Sequence, residues 1–349
     1  MKSLPENVSV QADDAASKVA MARSHPWRFL ASAMMAGLWI GTGVYVMFSA
    51  AGPFFASDSP ATKLVSGAVF AVALTFVVFA GAQLATSAMM ALPLGAFRRV
   101  ISWWSAIWTL LFIFVGNLIG SLALAWVLIQ SGMFHNAATE AMLDGTLTSK
   151  MAHTPAEMFF GGVMCNILVC GAIWSASRLR SESAKAIILF WGVFAFIASG
   201  FEHVVANMTI YGLGILGAGT VSVSLGAFAT SMLWVGLGNL VGGMVVIGMG
   251  YLFISGPQGQ NEADGSDIDR DAAAPTLDTK EQRVPLNDDG RFADKFAECQ
   301  PQPQRQAQTA AQQQAQHQSQ VEAQPQGQSA TRAASGASAP APVAKFQQD

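Results

Sequence analysis

Residues 200–208 read GFEHVVANM, and this stretch decides the fold. Between Lys185 and Glu262 the chain has one acidic residue, Glu202, and one histidine, His203, adjacent in apolar sequence long enough to cross a bilayer. An ionisable pair in hydrocarbon is costly unless it faces a bundle interior or a wet cavity, so such residues are functional candidates by default. The flanking sequence is therefore expected to hold this pair inside a membrane.

Working outward, six uncharged apolar runs lie at 29–55, 64–92, 101–129, 158–177, 186–208 and 225–255. A membrane helix needs ~20 apolar residues at ~1.5 Å rise each. All six runs meet that length, which predicts an all-α polytopic membrane protein with six transmembrane helices. The overall mean hydropathy of +0.38 understates this, because all nine Trp fall in residues 1–256 while the remainder is rich in Gln, Ala, Ser and Pro. Three regions follow: a polar N-terminal segment over 1–26 with a weak amphipathic pattern, the six-helix domain over 27–256, and a tail over 257–349. The tail buries too little apolar surface to fold and is expected to be disordered. No short apolar core with a small-residue cleavage site precedes the first span, so the first helix is expected to act as its own insertion signal.

Basic residues set the orientation. Lys2, Lys18, Arg23, Arg28, Arg98, Arg99, Arg178, Arg180 and Lys185 share one side, against Lys63 and Lys150 on the other. The positive-inside rule then predicts that both termini are cytoplasmic, with Trp27, Trp103, Trp104 and Trp174 as interfacial anchors. The bacterial inner membrane and its lipid are the expected surroundings. A net charge of −3 gives no polyanion footprint, so no nucleic-acid partner is expected. Cys165 and Cys170 fall in a helix and Cys299 in the tail, a spacing that offers neither a disulfide framework nor a metal site. No metal or cofactor is expected.

Two irregularities interrupt the helical reading. From Lys63 to Arg98 run thirty-four uncharged residues, which as one helix would extend ~51 Å against ~30 Å of hydrocarbon. A break is expected in AQLATSAMMALPLG (82–95), where Thr86 and Ser87 can bond freed backbone groups and Pro93 lacks an amide proton. GNLIG at 116–120 returns as GNLVG at 238–242, in the third helix of each three-helix half. An odd number of spans per half places the copies in opposite topology, the signature of an inverted 3+3 repeat with a site between interrupted helices. The second break then falls at 200–208. The 131–154 loop carries His135, Lys150 and His153, and its histidines are expected to be solvated.

GFEHVVANM, the two GN-L-x-G copies, KLVSG at 63–67 and CNILVCGAIW at 165–174 together resemble the formate/nitrite transporter family. WGVFAFIASGFEH, ANMT and MLWVGLGN are nearer its nitrite-channel branch. The resemblance covers residues 25–255. It implies a homopentamer with one aquaporin-like pore per subunit, helices two and five interrupted, passing small monovalent anions such as nitrite or formate, with hydrosulfide a further family substrate. It also implies a central pore histidine at His203 faced by Thr86, and constrictions at Phe70, Leu74, Leu84 and Phe196. Asn166 and Val169 then match pore-lining positions, Asn207 and Asn239 support them, and Lys150 matches a vestibule lysine. Where the family carries an acidic residue followed by Leu-Phe-Thr, this chain has Gln83-Leu84-Ala85-Thr86.

Physical chemistry supports the same site. A small anion between Phe and Leu side chains loses hydration and needs a compensating charge or proton, and histidine supplies either near neutral pH. Thr86 and backbone amides at a helix break can hold the anion's oxygens, while Glu202 is expected to point away and anchor the break. Counting ~26 Å of helix from Ala186 carries His203 towards the outer side, whereas the resemblance puts it at the pore centre. Two rival readings are an intramembrane hydrolase using Ser199 and His203, and a membrane scaffold or sensor acting through the tail, whose partner the sequence leaves open.

Overall fold

The computed structural model describes residues 1–256, and every regular element among them is helical. The expectations for the tail, Cys299 included, lie outside the described residues. Among the described residues, six helices or helix pairs are long and apolar enough to cross a membrane. They are α2 (Pro26–Ala56), α3 (Thr62–Phe70) with α4 (Val72–Phe79), α6 (Trp103–Gln130), α8 (Pro155–Arg178), α9 (Glu182–Ser199), and α11 (Leu225–Val241) continuing through a π-helical segment, Gly242–Met249, into α12 (Gly250–Ile254). Two shorter apolar helices complete the bundle, α5 (Ala85–Phe97) and α10 (Val204–Ile215).

The second apolar run breaks at residues 80–84, just before α5, rather than at its proline. Gly81 adopts φ +70°, a left-handed conformation that glycine takes without a Cβ clash. Pro93 lies inside α5, where its missing amide leaves the Met89 carbonyl without an intrahelical donor but does not stop the helix. The fifth run breaks in the same manner, at Gly200 with φ +77°, and restarts at Val204. Its second half runs on to Ile215, seven residues past the end of the 186–208 run.

The two breaks are held alike by the asparagines of the GNLxG copies. Asn117 Oδ1 accepts from the Ala85 amide at 2.9 Å, and its Nδ2 donates to the carbonyls of Ala33 and Gln83, both at 2.8 Å. Asn239 Oδ1 accepts from the Val204 amide at 2.9 Å, and its Nδ2 donates to the carbonyls of Gly162 and Glu202 at 2.8 and 2.9 Å. Each side chain thus pairs backbone groups that an interrupted helix leaves open, which lipid could not do. The second glycines of the motif allow the required approach. A methyl at Gly120 would meet the Met34 carbonyl, and one at Gly242 the Val163 carbonyl. Accordingly α2 packs on α6 as α8 packs on α11, and α10 packs on α6 as α5 packs on the π-helical segment.

The N-terminal segment is a helix, α1 (Leu4–Ser24), opened by a Ser3–Glu6 capping box. Val8, Ala12, Ala15 and Val19 form its buried stripe. Asn7 donates to the Trp174 carbonyl at 3.2 Å and Gln11 to Ser177 Oγ at 3.0 Å, which ties α1 to the end of α8. Trp174 is therefore no interfacial anchor. It is 1% exposed and stacked on Tyr251 at 4.5 Å, whereas Trp27, Trp103 and Trp104 are exposed as expected.

Candidate functional site

The two breaks meet at their restart points. Thr86, in the first turn of α5, and His203, the N-cap of α10, are both buried, with Thr86 Oγ1 3.1 Å from His203 Nε2. His203 Nδ1 accepts the Ala206 amide at 3.1 Å, so its lone pair is committed to capping α10. In the neutral ring the proton then sits on Nε2 and is donated to Thr86 Oγ1. An imidazolium could form only by giving up the Ala206 cap. The count from Ala186 matters little here, because His203 lies at the junction of four half-helices rather than along one straight helix.

Aromatic side chains cover this pair on one side. Phe196 stacks on the His203 ring at 5.6 Å, and Phe70 meets Phe196 edge-on at 6.0 Å. Leu74, Leu84 and Val169 are all buried in the same apolar cluster. On the α8 side, Asn166 Nδ2 donates to the Thr86 carbonyl at 3.1 Å and to the Asn239 carbonyl at 2.6 Å. Cys170 Sγ adds a contact to the Thr86 carbonyl at 3.3 Å. Thr86 is thereby held at its backbone while its hydroxyl faces His203.

Glu202 turns to a different set of partners. Its Oε2 accepts from Lys150 Nζ at 2.7 Å and Asn207 Nδ2 at 2.8 Å, and Asn207 also donates to Ser231 Oγ at 3.0 Å. The Glu202 amide donates to the Gly161 carbonyl at 3.2 Å. Side chains, not backbone amides, therefore neutralise this carboxylate. A cavity of about 450 Å³ lies here, lined by Lys63, Lys150, His153, Phe196, Glu202 and His203 among others. A second cavity, of about 360 Å³, lies beside the break before α5 and is lined by Gln11, Asp14, Lys18, Gln83, Ser87 and Ser177.

Two residues of this constellation escaped the site reading of the sequence. Asn117 was legible only as part of the first GNLxG copy, whose equivalence to Asn239 marks it. His153 was expected to be solvated, as the exposed His135 is, yet its Nδ1 is buried and lies 3.5 Å from Glu202 Oε1. No motif signalled that contact. Ser199 ends α9 and lines the Lys150 cavity, but both His203 nitrogens are engaged by Ala206 and Thr86 rather than by Ser199.

The family model described as formate/nitrite transporter matches residues 6–253. The nitrite transporter NirC of Salmonella typhimurium is 34% identical over 77% of this chain and 98% of its own length. The formate channel FocA of Escherichia coli is 32% identical over 61% of this chain and 74% of its own. Among solved structures, an FNT family ion channel superposes with a TM-score of 0.68 at 33% identity, covering 72% of this chain and all of that one. A pentameric formate channel with formate bound superposes with a TM-score of 0.59 at 29% identity, covering 67% and 98%. With a family model matched from α1 to α12 and these relatives, the chain is a multi-pass membrane protein of the formate/nitrite transporter family.

Proposed function

We propose that each subunit passes small monovalent anions, nitrite and also formate, between the Lys150 cavity and the Lys18 cavity through the Thr86–His203 contact. The observation that carries this reading is that contact itself: a hydroxyl and an imidazole 3.1 Å apart where two interrupted helices restart, beneath Phe70 and Phe196. The N-terminal ends of α5 and α10 converge there, and helix N-termini favour negative charge. A desolvated anion replaces lost water with the Thr86 hydroxyl and the His203 Nε2–H. Phe70 and Phe196 on one side, with Leu74 and Leu84 on the other, exclude bulk water and form the constrictions. Asn166, Val169, Asn207 and Asn239 line or support the path, and Lys150 with Glu202 sets the charge of one mouth.

The arrangement fits a homopentamer of inverted 3+3 subunits in the bacterial inner membrane, both termini cytoplasmic, with no enzymatic activity. Protons move with the anion or through His203. Purified protein in liposomes should accelerate uptake of nitrite and formate over protein-free vesicles, with hydrosulfide as the comparison anion. Uptake indistinguishable from protein-free vesicles for all three contradicts the reading.

A further inference from the structure

Glu202 has one satisfied oxygen and one open. Its Oε2 holds both Lys150 and Asn207, whereas Oε1 faces His153 Nδ1 at 3.5 Å, and that nitrogen is buried without a hydrogen-bond partner. Two facing lone pairs would repel, so the pair is compatible only with a proton on Nδ1. His153 caps the end of α7 (Ala137–Ala152) just before α8, lines the cavity that reaches His203, and keeps a third of its side chain exposed. It is thus wet enough to exchange protons and close enough to act on an entering anion.

The charges facing it nearly cancel. Lys150 on α7 and Glu202 at the α9–α10 break form an ion pair at 2.7 Å. Glu157, in the first turn of α8, is spent on the backbone and hydroxyl of Thr154 at 2.7 and 2.8 Å. Lys63 of α3 lines the same cavity, and His203 lies deeper with its nitrogens engaged. Protonation of His153 therefore adds a positive charge that Glu202 offsets in part, with the Glu157 carboxylate a smaller influence. The carboxylate beside it lifts the imidazole above its ordinary 6.5, outweighing the opposing effects of burial and the Lys150 charge.

We infer that His153 is the pH-set charge of the Lys150 mouth and determines how strongly that mouth gathers small anions before they reach His203. The inference rests on the anion-passage reading and adds to it a positioning residue with a sided effect. A focused positive field raises the local anion concentration, so His153 acts on half-saturation rather than on maximal flux.

The test uses full-length protein in vesicles whose Lys150 mouth faces outward, with internal pH held constant and external pH stepped across about 6.5, the ordinary histidine value. Nitrite influx is measured over a concentration series for wild type, His153→Gln and His153→Lys. Wild-type half-saturation should rise about three- to tenfold from acid to alkaline external pH. His153→Gln should hold the alkaline value throughout, and His153→Lys the acid value, with maximal flux preserved in both. Identical pH dependence of half-saturation in all three proteins overturns the inference alone. Absence of protein-dependent flux in wild type overturns both it and the anion-passage reading.

Discussion

At the residue scale the site is two polar groups in an apolar clamp. Thr86→Val keeps the shape and removes the acceptor, leaving the buried His203 Nε2–H unpaired at a cost of about 1–3 kcal/mol. Nitrite flux should fall at least about tenfold, since an anion loses a donor worth a comparable amount; flux within twofold of wild type in liposomes would contradict that. Phe196→Ala should do the opposite, raising leak and lowering discrimination between nitrite and formate, because the ring closing over His203 is gone. Unchanged conductance and selectivity would make it a packing residue only. His153 makes a separate prediction about stability. Its folded-state pKa is raised, so its contribution is fully present below about 6.5 and is lost as pH rises through the higher folded value. The melting-temperature advantage of wild type over His153→Gln should therefore shrink with rising pH, and an advantage that grows would contradict the assignment.

At the scale of elements, the interrupted helices depend on two asparagines. Asn239→Ala strands the Val204 amide and two carbonyls, and Asn117→Ala strands their counterparts at Ala85, Ala33 and Gln83. Each orphaned buried group costs about 1–3 kcal/mol, so both variants should lose most of their thermal stability in detergent and do so alike. Tolerance of either would show that the break is held by something else. The recurrence of GNLxG made the matching roles of Asn117 and Asn239 legible in the sequence, because a repeated motif needs no knowledge of its partners. The positions of the breaks were less legible. Pro93 drew attention as a breaker, yet a proline whose freed carbonyl is buried against other helices can remain helical, while Gly81, among many glycines, carries the turn. Trp174 misled for a similar reason: an aromatic beside arginines matches an interfacial belt, and only the packing of α1 beneath α8 reveals that it is covered.

For the whole molecule, length and apolarity sufficed for a six-span bundle, and GFEHVVANM with the GNLxG copies, KLVSG and CNILVCGAIW for its family. The Lys150–Glu202–His153 cluster was not legible, because the end of α7 meets the α9–α10 break across 52 and 49 positions of chain, with no local pattern. Topology has a direct check. In a background with Cys299→Ser, cysteines placed at the exposed Ser57 and Ser181 should be labelled from outside and inside respectively, and the reverse pattern would overturn the orientation. The central claim is that anions pass the Thr86–His203 contact and that His203 titration governs their passage. It is tested most directly by the pH profile of nitrite and formate flux through liposomes carrying wild type or His203→Asn. Asparagine is a good N-cap and can replace Nδ1 at the Ala206 amide without titrating. The account predicts a folded variant whose flux at saturating anion, where the His153 effect on half-saturation drops out, is reduced and no longer varies with pH. Wild-type rates with an unaltered pH profile would contradict it and leave His203 as a cap for α10.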